Sequence, residues 1–112
     1  MVDDHAAFRA SARRLLELTG YDVVAEAGDG AAGLALVREL EPELVLLDVA
    51  LPDMSGFDVA DALAGSRSAI VLVSSRDPTD LGRRALKSGA IGFIPKDRLS
   101  EETIRELVGS GE

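Results

Sequence analysis

Two kinds of hydrophobic pattern alternate along the chain. From Ala6 to Leu18, the apolar residues Ala7, Phe8, Ala12, Leu15, Leu16 and Leu18 fall broadly on one side, with Arg9, Arg13 and Arg14 among the polar positions. That spacing predicts an amphipathic helix closed by Gly20. Val23–Glu26 predicts a short strand and Gly28-Asp29-Gly30 a turn. Ala31–Leu40 predicts a second helix, stopped by Glu41-Pro42. Leu44-Val45-Leu46-Leu47 is apolar without alternation, which suits a strand buried on both faces.

The same punctuation then repeats. Leu51-Pro52-Asp53-Met54-Ser55-Gly56 is a loop of turn residues, and Phe57–Ala64 a third helix ending near Gly65. Ala69–Val73 is a second apolar, β-branched run. Pro78–Ser88 predicts a fourth helix, with Asp77 as N-cap and Gly89 past its end. Ile91–Ile94 is a last short strand. Ser100–Val108 is a final helix, with Ser100 as N-cap and Thr103 in the place of a capping-box glutamate. Strands and helices in alternation imply an α/β domain, a parallel sheet wound with helices on both faces. The opening strand of such a fold is reduced to Met1-Val2, where strands usually run about 5 residues.

Composition narrows the function. At 112 residues the chain is one domain, 1–112, with 46% hydrophobic and 29% charged residues. There is no cysteine and a single histidine, so disulfide scaffolds, thiol nucleophiles and two-histidine zinc motifs are excluded. The net charge of -8 and the 4% aromatic content disfavour direct nucleic-acid binding and anionic membranes. No signal peptide and no spanning apolar stretch is evident. The expectation is a small, soluble, cytoplasmic domain.

Ligands of open parallel sheets gather beyond the carboxyl ends of the strands. There the sequence places Asp3 and Asp4 after the stub, Asp48 after Leu47, Ser74 and Ser75 after Val73, and Pro95-Lys96 after Ile94. Clustered carboxylates repel unless a cation intervenes, and oxygen ligands favour a hard ion such as Mg²⁺. A lysine beside them reads as a phosphate partner. An aspartate at a strand end near metal, lysine and hydroxyl is a candidate nucleophile for phosphoryl transfer.

In this order and spacing, the motifs resemble the receiver domain of a two-component response regulator. They are Asp3-Asp4, Leu44–Asp48 with Leu51–Gly56, Ile70–Ser75, and Ser88-Gly89-Ala90 through Gly92–Lys96. The stretches Val24–Gly30 and Lys96-Asp97 are most similar to the subfamily usually fused to a helix-turn-helix output domain. The resemblance implies a flavodoxin-like, doubly wound sheet of five parallel strands in the order 2-1-3-4-5, here with a truncated first strand. It implies that Asp48 accepts a phosphoryl group from a sensor histidine kinase. Asp4, Asp48 and the backbone carbonyl of Ala50 would ligate Mg²⁺, with Asp3 supporting the metal. Lys96 would pair with the phosphoryl group, Ser74 would move toward it, and Phe93 would repack as the switch. Pro52 and Gly56 would shape the loop after the acceptor. A homodimer is a further implied contact, on the face of the fourth helix and last strand.

Departures and rivals accompany the resemblance. Family members commonly carry proline after the lysine, where this chain has Asp97, and Phe93 has no hydroxyl to report by hydrogen bonding. His5 reads as a solvated or capping residue at the start of the first helix, and Arg83 and Arg84 as a solvated helix face. One rival function is a phosphatase with an aspartyl nucleophile, but Ala50 stands where its second aspartate would be. Another is a degenerate receiver that only docks or dimerises. The receiver itself is not an enzyme on other substrates. The sequence ends at Glu112, shortly after the last helix, so an output domain is not expected within it.

Overall fold

The periodic segments fold where their patterns place them. The computed structural model describes residues 1–75, 84, 85 and 87–109. The elements in chain order are α1 (Ala6–Leu18), α2 (Gly30–Leu40), β1 (Leu44–Asp48), α3 (Gly56–Ala62), β2 (Ala69–Ser74), β3 (Gly92–Pro95), a 3₁₀ turn (Lys96–Arg98) and α4 (Glu101–Gly109). The three strands form one parallel sheet in the order β1-β2-β3. Leu44 lies opposite Ala69, and Val71 opposite Gly92.

Successive strand residues point to opposite faces, and both faces are covered. Val45, Leu47, Ile70 and Leu72 pack with Val37 of α2 and with Phe57, Val59 and Ala60 of α3. Leu46, Val71, Val73 and Ile94 pack with Ala12 and Leu16 of α1 and Ile104 of α4. This explains why the apolar runs lack alternation: neither face meets water. Side chains cap the starts of α2, α3 and α4. Asp29 accepts from the Ala32 N–H at 2.7 Å and Ser55 from the Phe57 N–H at 3.1 Å. Ser100 and Thr103 form a reciprocal box. The Thr103 N–H donates to Ser100 Oγ at 3.1 Å, and the Ser100 N–H to Thr103 Oγ1 at 2.9 Å. Among the described residues no helix is long and apolar enough to cross a membrane.

The sheet departs from the expected five strands, because the described residues contain three. Val2 alone stands in for the opening strand. It bridges Ala27 on one side and Leu47 on the other, both in parallel. Its N–H donates to the Leu46 carbonyl at 2.8 Å, and its carbonyl accepts from the Asp48 N–H at 2.9 Å. On the far side, the Asp3 N–H reaches the Ala27 carbonyl and the Ala27 N–H reaches the Met1 carbonyl, each at 2.9 Å. The strand expected at Val23–Glu26 does not form; only Ala27, beyond its end, is bridged. The physical reason is local. A strand needs a ladder partner, and of this stretch only Ala27 is bridged among the described residues, with residues 23–26 outside any ladder. Of the helix expected at 78–88, Arg84, Ala85 and Lys87 are helical. Ser88 lies in the turn that follows, and residues 78–83, Arg83 among them, and Leu86, with the expected N-cap Asp77, lie outside the described residues.

Candidate functional site

Four predicted positions meet at the carboxyl end of the sheet. Asp48 is the last residue of β1, Ser74 the last of β2, and Lys96 follows β3 directly. Asp3 follows the bridged Val2. Asp3 and Asp48 are buried, at 1% and 3% exposure, and Ser74 at 3%. Lys96 reaches inward over the Phe8 ring, its ammonium 4.4 Å from the ring centroid. Lys96 Nζ lies 2.7 Å from Asp3 Oδ2 and 3.3 Å from Asp48 Oδ2. A single ammonium thus holds two buried carboxylates, and the cation–π contact below it supports its placement. Asp4 is more exposed and lies at the rim.

The loop after β1 is fixed by backbone contacts. The Ala50 N–H donates to Asp48 Oδ1 at 3.1 Å, so one acceptor oxygen is held while the other faces Lys96. Ala50 and Ser55 form an antiparallel bridge, and the Gly56 N–H reaches the Val49 carbonyl at 2.7 Å. A Cβ on Gly56 would lie 2.2 Å from the Asp48 carbonyl oxygen. The loop can close on the acceptor only because that position has no side chain. Asp53 does more than turn the chain. Its carboxylate accepts the Gly30 and Ala31 N–H groups at 2.7 and 3.0 Å, clamping the loop to the start of α2. Those two bonds hold its pKa below the usual carboxylate value.

His5 is exposed, as one of its two sequence readings has it. It occupies the N-cap position of α1 but makes no side-chain cap. Instead the chain turns back so that Nδ1 lies 3.0 Å from Asp4 Oδ1, 3.1 Å from Asp3 Oδ1 and 3.9 Å from Asp48 Oδ2. Arg9 Nη1 donates to the Asp3 carbonyl, and Arg9 Nε pairs with Glu26 Oε1 at 3.3 Å. Neither residue carries a local signal for this role. Arg84, read as a solvated residue, stacks over the Phe57 ring at 4.2 Å. Phe93 is partly buried against the core face shared with α3.

The electrostatics follow from burial. Desolvation pushes the Asp48 carboxyl above its ordinary pKa, and the neighbouring Asp3 adds to this. The Ala50 N–H and Lys96 pull it back. One oxygen of each of Asp3, Asp4 and Asp48 and a nitrogen of His5 lie within 4.8 Å of one another. Asp3 Oδ2 is buried and, though close to Lys96, accepts no aligned hydrogen bond. A hard divalent cation fits this donor set, because one oxygen from each of three carboxylates converges there. The arrangement can therefore hold a cation, present a carboxylate as nucleophile, and meet developing negative charge with an ammonium.

The comparisons with known proteins agree with one another. Residues 1–108 match the response regulator receiver domain family. The nitrate/nitrite response regulator protein NarP of Escherichia coli is 37% identical over 114 residues, covering 99% of this chain and 53% of that protein. A transcriptional regulatory protein NarL of Mycobacterium tuberculosis is 38% identical over 109 residues, covering 95% and 50%. The chain thus spans about half the length of the curated relatives it matches. Among solved structures, the signal receiver domain of that NarL superposes with a TM-score of 0.86 at 37% identity, over 98% of this chain and 90% of that one. A LuxR-family two-component response regulator from Aurantimonas gives 0.88 at 30% identity, over 99% and 83%.

Proposed function

Because this chain belongs to the response regulator receiver domain family, we propose that it is a signalling switch set by phosphorylation of Asp48. The observation that carries the reading is the paired geometry at Asp48. One oxygen is fixed by the Ala50 N–H, and the other faces Lys96 beside a second buried aspartate. In the proposed step an Asp48 oxygen attacks the phosphorus of a kinase phosphohistidine. The P–N bond breaks, its electron pair returns to the imidazole, which takes up a proton, and an acyl phosphate remains on Asp48. Asp3, Asp4, Asp48 and the Ala50 carbonyl are the groups that would hold Mg²⁺. Bound there, the ion supplies positive charge that offsets the repulsion between carboxylates and phosphoryl oxygens.

The chain's own residues do the rest. Lys96 is released from Asp48 to the incoming phosphoryl oxygens, and Ser74, at the adjoining strand end, donates its hydroxyl to one of them. Phe93 then repacks on the β3 side, changing the surface seen by a downstream partner or a second copy. The donor is a sensor histidine kinase. The full sheet order 2-1-3-4-5 belongs to the same reading, supported by the placement of Val2 between Ala27 and Leu47. The test is an intact-mass measurement with acetyl phosphate and Mg²⁺. The wild type gains one phosphoryl group, and Asp48→Asn or added EDTA abolishes the gain. A full mass shift in Asp48→Asn refutes the acceptor, and an unchanged shift in EDTA refutes the metal requirement.

A further inference from the structure

His5 is the one histidine of the chain, and the phosphoryl-transfer step leaves it without a part. Its ring stands at the rim of the acidic site, 63% exposed, so it meets solvent and the carboxylates at once. The Asp3 carboxylate is divided between two neighbours. Oδ2 pairs with Lys96, while Oδ1 accepts the His5 backbone N–H at 2.8 Å and lies 3.1 Å from His5 Nδ1. Asp4 Oδ1 lies 3.0 Å from the same nitrogen, and Asp48 Oδ2 stands farther off, at 3.9 Å.

These spacings suit ligands of one ion. Donors at about 2.0–2.1 Å from an octahedral metal stand about 3 Å apart when they are adjacent. Nδ1 already keeps that distance from an oxygen of each of two aspartates, and the four donors lie within 4.8 Å of one another. The chemistry of the nitrogen then separates one ion from another. Mg²⁺ prefers oxygen and keeps much of its water, so a ring nitrogen offers it little. Imidazole suits borderline ions such as Zn²⁺ and Ni²⁺. A neutral ring with its proton on Nε2 carries a lone pair on Nδ1, on the side that faces Asp3 and Asp4.

We propose that His5 is a specificity-determining ligand of the cation site, which makes the site take a borderline divalent ion such as Zn²⁺ in preference to Mg²⁺. The inference rests on the reading of Asp3, Asp4 and Asp48 as the Mg²⁺ site. A borderline ion held by His5 shares those carboxylates with Mg²⁺, so the two compete for the receiver. Oxygen ligands alone leave the choice to charge and size, whereas the nitrogen adds a preference by ligand type. If the ring served only as a hydrogen-bond donor to Asp3 and Asp4, it would favour neither ion.

The experiment is titration calorimetry with Zn²⁺ and with Mg²⁺ at pH 7.5, on the chain carrying no histidine tag and on His5→Asn. The asparagine amide can still hydrogen-bond near the position of Nδ1 but offers no imidazole. The wild type is expected to bind Zn²⁺ more tightly than Mg²⁺. The ratio of the two affinities is expected to fall about tenfold or more in His5→Asn, since even an outer-shell partner of a metal ligand is worth about 10–100-fold. Zn²⁺ should also shift the NMR signals of the wild-type His5 ring carbons in the pattern of an Nδ1-bound imidazole, and Mg²⁺ should not. An equal ratio in the two proteins overturns the inference and leaves the Mg²⁺ site standing, and so does a ring unmoved by Zn²⁺. A wild type that binds neither ion overturns the inference together with the metal part of the proposed function.

Discussion

Asp48 and Asp3 reach the same site on supports of very different size. Asp48 ends a five-residue strand that is paired along its length with β2. The loop behind it is pinned by Gly56, Ser55 and the Asp53 clamp. Asp3 follows a single bridged residue, with Val2 bonded to Leu46 and Asp48 and its neighbours bonded to Ala27. Yet Asp3 is the more buried of the two. A buried carboxylate does not need a long strand behind it. It needs its immediate backbone fixed on both sides and a counter-charge, here Lys96, within reach. The difference is one of reserve: β1 is bridged along five residues, whereas the stub has one bridged residue flanked by the bonds of Met1 and Asp3.

The largest expected break is on the well-supported side. In Gly56→Ala the new methyl would meet the Asp48 carbonyl oxygen at 2.2 Å and Val49 Cα at 2.8 Å, both backbone. Backbone cannot rotate away as a flexible side chain can. The loop must move, at a cost near or above the top of the usual ~1–3 kcal/mol for overpacking. Urea denaturation should show this as a lower midpoint, and phosphorylation of Asp48 should slow because the Ala50 N–H shifts with the loop. An unchanged midpoint would mean that the loop is not held as tightly as these contacts indicate.

The stub is probed by Val2→Ala. Val2 is 3% exposed, and its methyl groups are what a Cβ on Gly33 would strike, at 2.7 and 2.8 Å. Removing two buried methyl groups costs about 2 kcal/mol, from transfer at about 0.8 kcal/mol per group plus some cavity. If the stub has no reserve, the loss extends to function: Mg²⁺ affinity, read by titration calorimetry, falls with stability. The same deletion at Val45→Ala in β1, also buried, should lower stability while leaving Mg²⁺ affinity near wild type. Equal losses of affinity in both variants would erase the proposed difference between the supports.

The legibility of the sequence follows the same division. The helix at Ala6–Leu18 and the apolar runs at Leu44 and Ala69 carry their own periodicity, and they form as read. Asp48, Lys96 and Asp3 were legible because strand ends in a parallel sheet converge, so order along the chain becomes proximity. What escaped depends on non-local geometry. Asp53 looks like a turn residue but caps a helix that starts 23 positions earlier. His5 reads as solvated or capping and is exposed, but only the turn between stub and helix brings its ring against Asp3 and Asp4. The strand expected at Val23–Glu26 has adequate residues but no ladder partner among the described residues. Propensity cannot supply the missing neighbour.

The smallest expected effect separates the charge of Asp48 from its position. Its folded pKa is raised, chiefly by desolvation. The folded state therefore favours the protonated acid more than the unfolded chain does. That contribution is fully present below the unfolded carboxyl pKa and is lost as pH rises through the raised folded value. At neutral pH the charged carboxylate is thus a burden in the metal-free protein. Asp48→Asn keeps the shape and removes the charge, so it should raise Tm at pH 7 without Mg²⁺. The gain should shrink as pH falls toward the acid range, where the wild-type group is neutral as well. Lys96 keeps Asp3 as its partner at 2.7 Å, so the variant does not leave an unpaired buried cation. Added Mg²⁺ should narrow the difference from the other side, by stabilising the wild type more than the variant. A lower Tm for Asp48→Asn at pH 7 would show that the ion pair with Lys96 outweighs desolvation, and that Asp48 is held by attraction as firmly as by its strand.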